Sequence, residues 1–269
     1  MTELTRTESG LDAIASMFAK TEAEGRAAFI PYFPVGYPSY DESLDAFTAM
    51  AEVGVDGFEI GMSFSDPLAD GPTIQAATQV ALEKGANINM ALQAVRDLRG
   101  RGLTQPMLMF GYLNPVIAYG IDQFVKDAKA AGADGLIIPD LPPEEAHLFN
   151  TVCQAENMAQ VFLLAPTSNA KRIKLVTATA TGFIYLVSVT GITGARQALP
   201  DTITDYIGHV RAATDKPLAL GFGISTPEQA KTMNGLVNGF IVGSALVKAA
   251  SEGVEAVKTL AKSLRDALD

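Results

Sequence analysis

The sequence predicts an α/β fold, a single (β/α)8 (TIM) barrel with an extra N-terminal helix that occupies residues 1–269 as one domain. Eight short apolar runs recur along the chain, about twenty to fifty residues apart. Each is near-continuously hydrophobic instead of alternating, the pattern of parallel strands covered on both faces. The segments between them carry helical spacing. A length of 269 residues also matches the roughly 250 that one such barrel takes.

The elements follow in order. A leading amphipathic segment around Leu11–Phe18 supplies the extra helix. The strand candidates are Ala28–Val35, Gly57–Met62, Pro106–Tyr112, Gly135–Pro139, Val161–Ala165, Gly182–Val189, Pro217–Phe222 and Gly239–Val242. Leu44, Phe47 and Ala51 repeat at three and four, as do Val257, Leu260, Ala261, Leu264 and Leu268 near the C-terminus. Pro142-Pro143-Glu144-Glu145 opens one helix with proline and acid in its first turn. Ser225-Thr226-Pro227-Glu228 opens another with capping-box spacing. The competing architecture is a doubly wound open sheet. Against it, no strand–GxGxxG–helix start is followed by an acid about twenty residues later.

Composition narrows the function. Apolar residues make up 48% and charged residues 19%, enough for a sizeable core and unlike a disordered chain. Thirty acidic against twenty basic residues give a net charge of −10. A general nucleic-acid binder wants the opposite sign, because phosphate neutralisation needs Lys and Arg. A small phosphorylated substrate stays open, since backbone N–H groups hold phosphate locally. The one cysteine, Cys153, excludes an intrachain disulfide framework and a multi-cysteine metal site, and reads as a small apolar side chain in a helix. Met1–Arg6 shows no basic segment followed by an apolar one. The longest uncharged run, Gly102–Ile121, is broken by Pro106, Gly111, Asn114 and Pro115 and reads poorly as a membrane span. A soluble, cytoplasmic protein is expected.

Active sites of this fold lie on the loops after the strands. The second such loop is the richest. Glu59 lies inside an apolar run, where a carboxylate is an expensive guest, and no strand run offers an opposing Lys or Arg. Asp66 and Asp70 follow, four apart, in a loop held by Pro67, Gly71 and Pro72. A solvated acid pair with a structural Glu59 is the plain alternative. Glycine-rich turns end the last strands: Gly221-Phe222-Gly223-Ile224-Ser225 after the seventh and Gly243-Ser244 after the eighth, before a helical stretch Ala245–Ala250. Loops at these positions often bind phosphate. The loop Ser188–Arg196, with Gly191 and Gly194, could close over such a group. His147 and His209 read as surface side chains, and without clustered His and Cys a transition-metal site is not expected. No strand-embedded lysine offers a Schiff-base nucleophile.

The stretch Glu59-Ile60-Gly61-Met62-Ser63-Phe64-Ser65-Asp66-Pro67-Leu68-Ala69-Asp70-Gly71-Pro72-Thr73-Ile74-Gln75 resembles the signature of the tryptophan synthase alpha subunit family. Further matching stretches are Tyr112–Pro115, Gly135–Pro142, Gly191–Ala195, Gly221–Ser225 and Gly243–Ala245. The resemblance implies a barrel that cleaves indole-3-glycerol phosphate to indole and glyceraldehyde 3-phosphate. It also implies no metal or organic cofactor and a PLP-dependent beta subunit as partner, in an α2β2 assembly. Glu59 matches the general acid–base carboxylate and Asp70 the second catalytic carboxylate. Gly194, Gly223, Gly243 and Ser244 match phosphate-binding positions. Tyr32, Phe110, Tyr112, Ile137, Leu164, Tyr185, Thr193 and Phe222 map to the substrate pocket, and Asp66 and Asn114 to the partner-facing loops. Ser63 departs from the family's usual proline, Tyr37 from an aspartate and Pro34 from a small or polar residue. Within this resemblance, a stand-alone indole-releasing lyase and a weakly catalytic regulatory subunit remain as alternatives.

Overall fold

A computed structural model of the chain describes residues 8–187, 201–221 and 223–269, with only the backbone of Asp201. Eight strands close into a barrel in sequence order, each parallel to its neighbours. They are β1 Ala28–Pro34, β2 Phe58–Gly61, β3 Met107–Phe110, β4 Gly135–Ile137, β5 Ala159–Leu164, β6 Ile184–Val187, β7 Leu218–Gly221 and β8 Gly239–Val242. Every apolar run of the sequence contributes one strand. The strands are shorter than most runs, because hydrophobic residues continue into the loops that roof the barrel. β5 instead starts two residues early, at Ala159-Gln160, where Thr181 Oγ1 accepts the Gln160 N–H at 2.8 Å.

Helices fill the connections. They are α1 Leu11–Ala23, α2 Tyr40–Glu52, α3 Pro72–Glu83, α4 Ile88–Gly100, α5 Leu113–Tyr119, α6 Ile121–Ala131, α7 His147–Ala155, α8 Ala170–Thr179, α9 Asp201–Arg211, α10 Pro227–Lys231, α11 Ser244–Ala249 and α12 Val254–Asp266. None of the described helices is long and apolar enough to cross a membrane. Three helix starts differ from the sequence expectation. Pro143–Glu145 forms a 3-10 turn, and the α-helix begins only at His147. The capping box is Thr226 with Gln229, one residue later than Ser225 and Glu228, because Pro227 sits best at the first helical position, where its missing N–H costs nothing. The helix expected over Ala245–Ala250 starts one residue earlier, at Ser244.

The largest core lies between the outer faces of the strands and the helices. Phe47 of α2 packs edge-on against Phe33 of β1 and Phe58 of β2, with ring centroids 5.8 and 5.5 Å apart. Phe29 of β1 stacks on Phe240 of β8 at 5.1 Å, which closes the barrel seam. All five rings are fully buried, each worth about 1.5–3 kcal/mol. At the N-terminal end of the strands, α1 covers the barrel floor. Phe18 meets Phe183 edge-on at 5.6 Å, and the Gly10 N–H donates to Asp134 Oδ1 at 2.6 Å. Only glycine fits at position 10: φ is +65°, and a Cβ would lie 1.7 Å from the Asn157 carbonyl oxygen.

The register fixes which side chains share the interior. Tyr32, Glu59, Leu108, Gly135 and Ala159 are successive partners from β1 to β5, and Phe110, Ile137 and Val161 form the next tier on β3 to β5. Leu163, Tyr185, Ala219 and Gly239 continue the inward face from β5 to β8.

Candidate active site

The C-terminal ends of the strands open on a cavity of about 460 Å³, within the range of small-molecule sites. Glu59 and Tyr32 form part of its wall, with Asp70 and Ile74 on one side and Phe110, Leu163 and Tyr185 on others. Gly223, Gly243 and Ser244 line its far rim. The strand order explains the arrangement, since β8 closes onto β1 and brings the last glycine turns beside the second loop.

Glu59 is fully buried, and neither carboxyl oxygen has a hydrogen-bond partner among the described residues. Buried carboxylates normally satisfy their oxygens, so this one is held without compensation. Burial pushes its pKa well above the ordinary carboxylate range, and the Asp70 charge pushes it further. Asp70 stands on the loop between β2 and α3, where its N–H donates to the Pro67 carbonyl at 3.0 Å. Burial raises its pKa from 3.8 to about 6, while a hydrogen bond from Tyr112 pulls it the other way. Both carboxyls therefore favour the protonated form more than a solvated carboxylate does, Glu59 the more deeply buried of the two. Such a pair can divide acid and anion roles.

Two tyrosines lie flat because glycines make room. A Cβ on Gly61 would come within 2.7 Å of the Tyr32 hydroxyl, and one on Gly221 within 2.7 Å of the Tyr185 hydroxyl. The Tyr32 ring also meets Phe110 edge-on at 5.1 Å. Burial raises both phenol pKa values well above normal, and the two carboxylates add to the shift, so both phenols stay protonated.

The structure sorts the residues expected from the sequence. Glu59, Asp70, Tyr32, Phe110, Tyr185, Gly223, Gly243 and Ser244 meet around one cavity. Leu164 does not belong there: Leu163 is the register partner of Tyr185 and lines the cavity, while Leu164 pairs with Leu186 on the helix-facing side. A strand alternates sides at every residue, so an error of one position reverses the face. Ile137 shares the interior tier of Phe110 but is fully buried and not among the lining residues. Tyr112 is buried next to the second loop instead of lining the cavity, and its hydroxyl accepts the Ala69 N–H at 3.0 Å. Thr193, Gly194 and Phe222 lie outside the described residues, as does the loop Ser188–Arg196. Asp66 and Asn114 are exposed. The Ser63 hydroxyl is buried without a hydrogen-bond partner. The sequence reading missed Leu163 and Val187, although Val187 was within reach as the same-face residue two beyond Tyr185. Among the described residues, no cluster of three His, Cys, Asp or Glu could hold a metal.

A closed parallel barrel whose strand ends hold two carboxyls of raised pKa beside an aromatic cavity has the layout of a (β/α)8 enzyme. Residues 18–267 match the family model described as tryptophan synthase alpha chain. Curated relatives of that name include one from Chloroflexus aurantiacus, 45% identical over 88% of this chain and 89% of its own length. Another, from Synechococcus elongatus, is 42% identical over 96% of this chain and 98% of its own. Among solved structures, Mycobacterium tuberculosis tryptophan synthase superposes with a TM-score of 0.90 at 37% identity, covering 97% of this chain and 99% of that one. The chain belongs to the tryptophan synthase alpha chain family, lyases that cleave indole-3-glycerol phosphate to indole.

Proposed function

We propose that this chain performs that cleavage as a retro-aldol reaction in which Glu59 moves the protons and Asp70 supplies the fixed negative charge. Breaking the bond between indole C3 and the side chain needs an electron sink. Indole becomes one only when C3 is protonated. The carboxylic acid of Glu59 delivers that proton, and its carboxylate takes one from the neighbouring C3′ hydroxyl. The hydroxyl oxygen then forms the aldehyde carbonyl, and the electrons of the broken bond return to the ring as indole. A carboxyl with no protein partner and a raised pKa suits both directions near neutral pH. Asp70, ionised above about 6, favours the positive charge that the ring N–H bears when C3 is protonated.

Gly223, Gly243 and Ser244 are assigned to the phosphate, with their backbone N–H groups and the Ser244 hydroxyl as donors. Anchoring there pays no part in bond breaking but orients the reacting carbon toward Glu59. Tyr32, Phe110, Leu163 and Tyr185 form the surface for the indole ring. Thr193, Gly194 and Phe222 keep the pocket and phosphate roles that the family resemblance implies, and Ile137 stands beside Phe110 on the neighbouring strand. The reaction draws on no metal or organic cofactor.

The indole passes to a PLP-dependent beta subunit in an α2β2 assembly in the cytoplasm. Supporting the partner surface, Asp66 and Asn114 are exposed beside two apolar side chains turned to solvent, Leu68 at 94% and Ile117 at 51% exposure.

The observation that carries the reading is the partnerless Glu59 carboxyl in the wall of the cavity. Glu59→Gln is expected to abolish indole release from indole-3-glycerol phosphate while a glycerol-phosphate ligand still binds. Substantial residual cleavage overturns the acid–base role. The same assay with and without a beta subunit tests the partner.

A further inference from the structure

Among the described residues that line the cavity, Tyr32, Glu59, Asp70, Tyr185 and Ser244 carry polar side chains. Proton transfer, the fixed charge and the phosphate account for three of them. The two phenols are left. Strand order tells them apart. β1, which carries Tyr32, lies between β2 with Glu59 and β8, which ends at the Gly243-Ser244 turn. β6, which carries Tyr185, borders neither of those strands.

Tyr32 spans the distance between its two neighbours. Pro31 pairs with Val242, which brings Gly243 beside Tyr32. A Cβ on Gly243 would lie 3.2 Å from Tyr32 Cδ1 and 3.4 Å from its Cβ, so the root of the ring rests against the turn. The hydroxyl end reaches the other way. Tyr32 is the register partner of Glu59, and Gly61, two residues further along β2, faces the same side as Glu59. A Cβ on Gly61 would lie 2.7 Å from the Tyr32 oxygen and 2.9 Å from its Cζ. The phenol oxygen therefore takes the place of the side chain that Gly61 lacks, one step above Glu59 on the inward face. Phe110, the partner of Gly61 on β3, packs edge-on against the Tyr32 ring from that side. Burial keeps the phenol protonated, which leaves it a hydrogen-bond donor as well as an acceptor.

A substrate with its phosphate at Gly243 and Ser244 and its C3′ hydroxyl at Glu59 runs its carbon chain across β1. The carbon between those two ends is C2′, which carries the second hydroxyl of the glycerol chain.

We propose that Tyr32 is a specificity-determining residue whose phenol oxygen hydrogen-bonds the C2′ hydroxyl, so that the site selects a hydroxylated three-carbon phosphate over one with a bare methylene. This role adds to the place of the ring in the pocket wall. It rests on the assignments of Glu59 and of the phosphate turn made above.

The test uses the full-length protein in the reverse direction, in which the same groups join indole to an aldehyde. Two aldehydes are compared by kcat/KM: glyceraldehyde 3-phosphate and 3-oxopropyl phosphate, which lacks only the C2 hydroxyl. The unsubstituted protein is expected to prefer the first by about tenfold or more, because the second leaves a buried phenol without its partner. Tyr32→Phe should cut that preference by about tenfold, and the intrinsic difference between the aldehydes cancels in this comparison. Tyr185→Phe should leave the preference within about twofold. An equal fall for both aldehydes in Tyr32→Phe, with the preference intact, overturns the proposal, as does a preference lost in Tyr185→Phe instead. Equal use of the two aldehydes by the unsubstituted protein overturns it without any variant. Glu59→Gln separates this inference from the reading beneath it. Continued condensation in that variant overturns the acid–base role, whereas a silent Glu59→Gln with an unmoved preference in Tyr32→Phe overturns the role of Tyr32 alone.

Discussion

The two ends of the barrel bury the same kind of group and treat it oppositely. At the N-terminal end, Asp56 takes two bonds from Arg26, at 2.7 and 2.8 Å, and a third from the Phe29 N–H at 2.9 Å. Asp134 accepts from the N–H groups of Gly10 and Met107 and from Arg99 at 2.6, 3.0 and 3.0 Å. At the C-terminal end, Glu59 accepts from no group among the described residues. A carboxylate saturated by a guanidinium and backbone donors is a fastening. One that is buried and left unsatisfied costs stability, a cost that fits the proton-transfer role proposed for Glu59. Burial alone does not separate the two. Partner count does.

Substitutions at both ends can break this contrast. At the upper end, Asp70→Asn should lower kcat for indole release by about 10²–10⁴, the scale of a lost electrostatic group, with thermal unfolding nearly unmoved. An equal loss of stability would place Asp70 with the fastenings. Next, Asp56→Ala should cost about 3–5 kcal/mol in urea unfolding, because it takes from the buried Arg26 charge its bidentate partner and leaves it the half-exposed Glu24. Turnover per folded molecule should stay the same. Glu59→Met is expected to raise stability by about 1–2 kcal/mol while abolishing activity, since it removes two unsatisfied oxygens without opening a large void. A destabilised Glu59→Met would show that the carboxyl has hidden compensation.

The smallest effect is in the pH dependence of stability. The folded pKa of Asp70 is raised from 3.8 to about 6, so the native state binds more protons than the unfolded chain within that window. Its contribution therefore falls as pH rises from about 4 to about 6. Asp70→Asn should flatten that part of the stability curve, as read by unfolding at several pH values. A slope of the opposite sign would mean that Asp70 is stabilised as an anion in the fold.

Much of this was legible in the chain. Apolar runs such as Gly239–Val242 mark strands because a strand covered on both faces has no solvent side to make polar. Glu59 stands out for a related reason, as a carboxylate in such a run with no facing cation. The choice between Leu163 and Leu164 was not legible: both are leucine, and only pairing with β6 decides which points inward. The role of Tyr112 was hidden as well. Its hydrogen-bond partner, the Ala69 N–H, lies more than forty residues earlier, and no local pattern reports which way a phenol turns.

Local chemistry in the chain was sufficient to specify a barrel, the positions of its strands and the presence of a costly acid, because alternation, propensity and the penalty for burying charge act over a few residues. Only the closed structure decided which side chains meet in one cavity, which acids find donors, and which phenol accepts the Ala69 N–H. Those outcomes depend on distances between segments far apart in sequence, and they are set when the register of eight strands locks together.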